Sequence, residues 1–167
     1  MALPALVFSE TNTVTAVVTD GISSVAFAAV DNNSNVANLS TSSPVAAGAN
    51  AFEKYLRMKV TVAATNSLSA FGVYVAVGSI TDGGATAGNI NIKVGVNLTF
   101  ATPVATTSTV MTTTPLTAAP GTAFTAPANT VGSYSAYFGF QAQVLAAAAG
   151  GNATFPANFI NCQYTYS

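Results

Sequence analysis

The side chains of this chain that could do acid, base or nucleophilic work are few. Glu10, Asp20, Asp31, Glu53 and Asp82 are its carboxylates, Lys54, Arg57, Lys59 and Lys93 its cations and Cys162 its thiol, and it has neither histidine nor tryptophan. Paired-carboxylate chemistry needs two acids held about 5 to 10 Å apart, but Asp20 and Asp82 each precede a glycine, where an Asx-type turn accounts for them. A serine or cysteine nucleophile needs a base. Without histidine only a lysine dyad remains, and no Ser-x-x-Lys spacing occurs at Lys54, Lys59 or Lys93. Zinc, copper and haem sites want histidine or clustered cysteine, and no Gly-x-x-x-x-Gly-Lys loop exists to cradle phosphate. The chain therefore reads as a non-enzyme without catalytic, cofactor-binding or metal-binding residues.

Three polar features need a second reading. Asp31-Asn32-Asn33-Ser34-Asn35 sets oxygen side chains at alternate positions as calcium loops do, yet Val36 stands where such loops turn on glycine and no glutamate closes the twelfth place. It reads as a polar turn. Asn-x-Ser/Thr sequons begin at Asn32, Asn38, Asn97 and Asn152, as expected by chance in a chain this rich in those residues. The cluster Glu53, Lys54, Arg57, Lys59 either solvates one strand face with Tyr55 or belongs to a sugar-binding face of Tyr55, Arg57 and Tyr74, a platform that would lack tryptophan.

The elements that carry these residues read as strands. Ile90, Ile92, Val94, Val96, Leu98 and Phe100 alternate without error against polar or small residues, the period-two signature of a half-buried strand. Shorter versions occur at Val14, Ala16 and Val18, at Leu56, Met58, Val60 and Val62, at Phe71, Val73, Val75 and Val77, over residues 134–144, and at Ile160, Cys162, Tyr164 and Tyr166. Residues 22–30 form an apolar run that also reads as strand. Asp-Gly, Asn-rich and Gly-Gly turns separate these runs. Seven or eight strands without a βαβ rhythm predict an all-β antiparallel sandwich of jelly-roll-like type. A turn of helix near residues 47–53 is the one helical candidate, and it fits loop as well. Cys162, in an alternating row, reads as a buried, inert thiol.

Two segments stand apart. Residues 101–131 are dominated by threonine, alanine and proline, which predicts a long loop with one short edge strand at residues 108–111. Residues 1–12 read as an extended arm on a single sandwich domain spanning 13–167. The arm's Leu3, Leu6, Val7 and Phe8 need an apolar site, either on their own sheet or on another subunit by strand addition.

Bulk composition narrows the partners. Nine charged side chains and a formal net charge of -1, spread over roughly 7,600 Å² of surface expected for a chain this size, leave a mostly neutral exterior. That composition supplies no basic stripe for nucleic acid and no cationic face for a membrane. No stretch reaches the ~18 to 20 apolar residues of a spanning helix. The N-terminal residues lack a charged n-region and hold Pro4, so no Sec-type signal is expected and synthesis in a cytosol is.

The strand Ala-Phe-Glu-Lys-Tyr-Leu-Arg-Met-Lys-Val-Thr-Val at 51–62, followed by Leu-Ser-Ala-Phe-Gly-Val-Tyr-Val at 68–75 and a Gly-rich turn, resembles the β-sandwich proteins of tailed-bacteriophage virions, head decoration proteins in particular. The resemblance implies a jelly-roll-like capsid decoration or accessory head protein, a symmetric homo-oligomer or a partner of the major capsid protein, made in the host cytoplasm and found in the virion. A neutral surface with extended segments suits such permanent association. Leu3, Leu6, Val7, Phe8, Val104, Val110, Met111, Leu116 and Phe124 are the expected intersubunit contacts. An extracellular filament subunit polymerising by strand donation is the alternative, followed by a carbohydrate-binding module.

Overall fold

The computed structural model describes residues 4–13, 15–65, 67–75, 81–82, 90–112, 121–148, 153–154 and 160–166. In chain order the elements are β1 (Ala5–Asn12), β2 (Val17–Ile22), α1 (Leu39–Ser42), β3 (Lys54–Val62), β4 (Leu68–Val75), β5 (Thr81–Asp82), β6 (Ile90–Leu98), β7 (Thr122–Ala123), β8 (Tyr137–Val144), β9 (Ala153–Thr154) and β10 (Ile160–Tyr166). A five-stranded sheet runs β2-β1-β3-β8-β6, a three-stranded sheet β10-β4-β7, and β5 pairs with β9. Every pairing is antiparallel. The fold is thus all-β, two antiparallel sheets sharing one core, as the alternation predicts.

That core forms because alternate residues of each strand point the same way. From the five-stranded sheet Leu56, Met58, Val60, Val94, Phe138, Phe140 and Ala142 face inward, and from the three-stranded sheet Phe71, Val73, Val75 and Ile160 meet them. Aromatic rings bridge the gap: Phe124 lies 4.7 Å from Phe138 and 5.5 Å from Phe71 between centroids, and Tyr164 stacks on Phe71 at 5.3 Å. Phe138 is wholly buried at the centre of this line. Removing a ring so placed costs about 3 to 5 kcal/mol.

Four pairings among the described strands shift register, and two of these shifts redirect side chains into the core. Leu68 and Phe71 are both buried although three residues apart, because Ala70 takes a left-handed φ of 51° and the pairing with β10 shifts register there. Gly21, at φ 72°, does the same for β2, where a register shift lets Ile22 turn into the core while Asp20 faces out.

Four expectations are corrected. Residues 5–12 are part of the sandwich rather than an arm on it, and of the two sites open to them they take their own sheet: β1 is an inner strand, paired with β2 along one edge and β3 along the other, with Phe8 opposite Met58 and Ser9 opposite both Asp20 and Arg57. Residues 23–30 are not a strand. Their backbone bonds include ones to Ser34 Oγ, Ser43 and Phe52, and Phe27 and Ala28 are buried, Phe27 within the core. The helical turn lies at α1, after a left-handed Asn38, and residues 47–53 are loop with an isolated bridge from Asn50 to Gln143. The edge strand of the Pro/Thr-rich segment is β7 on the three-stranded sheet, not residues 108–111. Val14 and Val77 lie outside the described residues.

Candidate functional site

Because Leu56, Met58 and Phe138 point inward, their strand neighbours Tyr55, Arg57, Lys59 and Tyr137 stand on the opposite, outer face of the five-stranded sheet. There Arg57 is clasped between two rings, its Cζ 3.8 Å from the Tyr134 centroid and 4.7 Å from that of Tyr137. Lys59 pairs with Asp20, which also accepts from Ser9 Oγ at 2.6 Å and from the Tyr134 hydroxyl at 3.3 Å. Burial raises the Asp20 carboxyl, but the bonds from Lys59 and Ser9 outweigh it, so its pKa lies below the usual value; the bond to Asp20 lifts that of Lys59. Arg57 and Lys59 therefore do sit on one face, but each is already engaged by its own chain.

Tyr55 is not available as a stacking platform. It is 1 % exposed, packed against Phe100 at 5.3 Å and Tyr137 at 6.3 Å, while its hydroxyl donates to the buried Glu53 at 3.4 Å. Burial and the neighbouring carboxylate push its pKa up to about 12. Tyr74 stands on β4 in the other sheet. The sugar-binding trio Tyr55, Arg57 and Tyr74 is not brought together.

The segment 101–112 is spent on this same face. Gln141, fully buried and pointing outward from β8, accepts from Ser108 N at 2.8 Å and donates to the carbonyls of Thr106 at 2.7 Å and Ala51 at 3.1 Å. Ser108 Oγ in turn accepts from Met111 N at 3.0 Å. One glutamine side chain thus satisfies backbone groups that a loop without a strand partner would leave orphaned.

The expected contact residues divide accordingly. Leu6 and Phe8 pack on the chain's own core, Phe124 belongs to it, and Met111 is wholly buried under the loop. Each of these four packs against its own chain, with Leu6 and Phe8 only half-buried. Val7 is half-buried on the outer face opposite Lys59. Val104 and Val110, at 40 % and 49 % exposure, remain at the surface. Leu3 and Leu116 lie outside the described residues.

A polar cluster that the sequence did not disclose closes one end of the sandwich. Lys54 Nζ and Glu10 Oε1 form an ion pair at 2.8 Å with both side chains at 0 % exposure. Glu10 Oε2 accepts from Ser34 N at 2.8 Å, and Asn12 Nδ2 donates to Glu10 Oε1 at 2.9 Å and Asp31 Oδ1 at 3.1 Å. Asp31 Oδ2 accepts from Thr13 N at 2.8 Å. The 31–35 turn thereby serves as a lid of backbone donors and acceptors over the pair. The signal was parity: Glu10 continues the inward row of Leu6 and Phe8, and Lys54 that of Leu56 and Met58. Beside this end lies an open recess of about 270 Å³ lined by Ser24, Val25, Ala26, Ser34, Val36, Asn38, Leu39 and Thr41, without a charged side chain.

Cys162, half-buried on β10, has its thiol pushed up to about 12 by burial. Like the Tyr55 phenol, it keeps its proton through neutral pH. Among the described residues, no group of three acids or cysteines is gathered that could hold a metal ion, and no helix is long and apolar enough to cross a membrane. No protein-family model, curated protein or solved structure matches the chain.

Proposed function

We propose that the protein is a non-enzymatic structural subunit of a virion, a capsid decoration or accessory head protein that docks through a neutral surface. The observation that carries this reading is the disposal of charge. Lys54, Lys59 and Arg57 are held by Glu10, by Asp20 and by two tyrosine rings of their own chain. Among the described residues the large apolar side chains left exposed are eight valines and Leu145, with Val104 and Val110 on the loop that covers the five-stranded sheet. Such a surface associates by shape and van der Waals contact and loses little when salt screens ion pairs. Its partners would be further copies of the chain, the major capsid protein, or both.

The filament alternative has less support. Its donor strand would come from residues 1–12, and within these Ala5–Asn12 is a strand of its own sheet, with Phe8–Thr11 paired along both edges. What remains for it is the edge of β2, where Val17 and Val18 are exposed. A carbohydrate-binding module loses its platform with the burial of Tyr55.

Density-gradient fractionation of virions from the source cells, probed with an antibody to the chain, tests the proposal. The chain should band with the particles at a fixed ratio to the major capsid protein. Recovery only in the soluble fraction would refute it.

A further inference from the structure

The cluster at the end of the sandwich holds an amine, a carboxamide and a carboxylate in contact. Lys54, Glu10 and Asn12 are 0 %, 0 % and 3 % exposed. β1 and β3 pair Glu10 with Leu56 and Thr11 with Tyr55, so the same register sets Asn12 opposite Lys54, where facing Cβ atoms lie about 5 Å apart. One carboxylate oxygen, Glu10 Oε1, accepts from both Lys54 Nζ at 2.8 Å and Asn12 Nδ2 at 2.9 Å. The Asn32 carbonyl also accepts from both, at 2.5 and 3.2 Å. Two nitrogens from facing strands are thus gathered on the same two acceptors.

The carboxamide is oddly served for a purely structural asparagine. Its Nδ2, with two hydrogens, faces three acceptors, Glu10, Asp31 and Asn32, while its buried Oδ1 has no partner. Buried polar atoms are normally satisfied. An amide nitrogen surrounded by acceptors is placed to be received as it gains a proton and departs.

We propose that Lys54 and Asn12 become joined by an intramolecular isopeptide bond, with Glu10 carrying the protons. Glu10 takes a proton from the Lys54 ammonium, and the freed amine attacks Asn12 Cγ, forming the Cγ–Nζ bond. The Cγ–Nδ2 bond then breaks. Nδ2 leaves as ammonia with one proton delivered by Glu10, and Nζ returns one proton to Glu10. Ammonium, carboxylate and carboxamide become a secondary amide, a carboxylic acid and ammonia; charge and hydrogen balance, and nothing is oxidised or reduced. Burial favours the step in two ways. It excludes the water that would hydrolyse the carboxamide, and it exchanges a buried ion pair, costly to desolvate, for neutral groups. This inference does not depend on the virion reading.

The intact mass of the purified full chain, kept folded near neutral pH and then denatured, decides it. Loss of one ammonia lowers the mass by about 17 Da. Because no lysine or arginine precedes Lys54, a tryptic map should show residues 1–57 as one peptide about 17 Da light, uncut after Lys54, and fragmentation of it should place the link between Asn12 and Lys54; a light peptide that ends at Lys54 would overturn the proposal. Asn12→Ala, which keeps the ion pair, should restore the full mass. An intact mass equal to that of the unlinked sequence, a deficit that maps to another asparagine, or a deficit that survives in Asn12→Ala would each overturn the proposal.

Discussion

Gly95 of β6 and Gly139 of β8 sit directly opposite each other, and the loop after β6 lies in the trough they leave. A Cβ on Gly95 would stand 2.6 Å from the Val110 carbonyl oxygen, and one on Gly139 would stand 2.2 Å from Met111 Cε. The facing pair lets a backbone segment lie flat on a sheet and bury Met111. It also decides which side chains the molecule presents there, since Val104 and Val110 ride on that segment.

Gly95→Ala should therefore lower unfolding stability by about 1 to 3 kcal/mol, because a backbone carbonyl cannot step aside. Gly139→Ala should cost less, its closest clash being with the flexible tip of Met111. Urea denaturation of the two variants checks the order.

In the Asn12→Ala background, where Lys54 cannot be linked and the ion pair is kept, Lys54→Met leaves the Glu10 carboxylate buried without its cation, which should cost about 3 to 5 kcal/mol. Adding Glu10→Gln should recover a large part of that loss. A double variant as unstable as Lys54→Met would refute the ion pair as the reason.

Ala70 bears a left-handed φ of 51° to form the bulge in β4. Glycine adopts that conformation without strain, so Ala70→Gly should raise stability by about 1 kcal/mol. Thermal denaturation followed by circular dichroism reads the change.

Alkaline pH should unfold the protein through its buried acids. Tyr55 is raised from 10.0 to about 12 and Cys162 from 9.0 to about 12, so the folded state holds these protons more tightly than the unfolded chain does. The stability they contribute is whole below pH 9 and is lost as pH rises to about 12, with Tyr55 supplying roughly 3 kcal/mol of it. Tyr55→Phe should flatten that limb in denaturation measured across the range.

Much of the fold is legible in the sequence because alternation is local: the inward rows of β3, β6 and β8 are written in Leu56, Met58, Val94, Phe138 and Phe140. What escapes depends on distant partners. Residues 5–12 look like part of an arm until β2 and β3 are known to pair with them, and residues 101–112 look free because Gln141, which anchors them, is far along the chain. The paired burial of Glu10 and Lys54 was written in parity, but charge argues for surface unless a partner 44 residues away is in view. The Arg57 clasp is hidden similarly, since Tyr134 stands before β8 begins.

The central claim is that this chain associates through neutral, valine-bearing surface rather than through its few charges. Multi-angle light scattering of the purified protein, alone and with virions stripped of it, in low and in molar salt, tests that most directly. Self-association or particle binding that persists in molar salt and disappears in the Val104→Asp, Val110→Asp double variant is the predicted result. A chain that stays monomeric and binds no particle at either salt, or whose binding is abolished by salt and untouched by those substitutions, would contradict it.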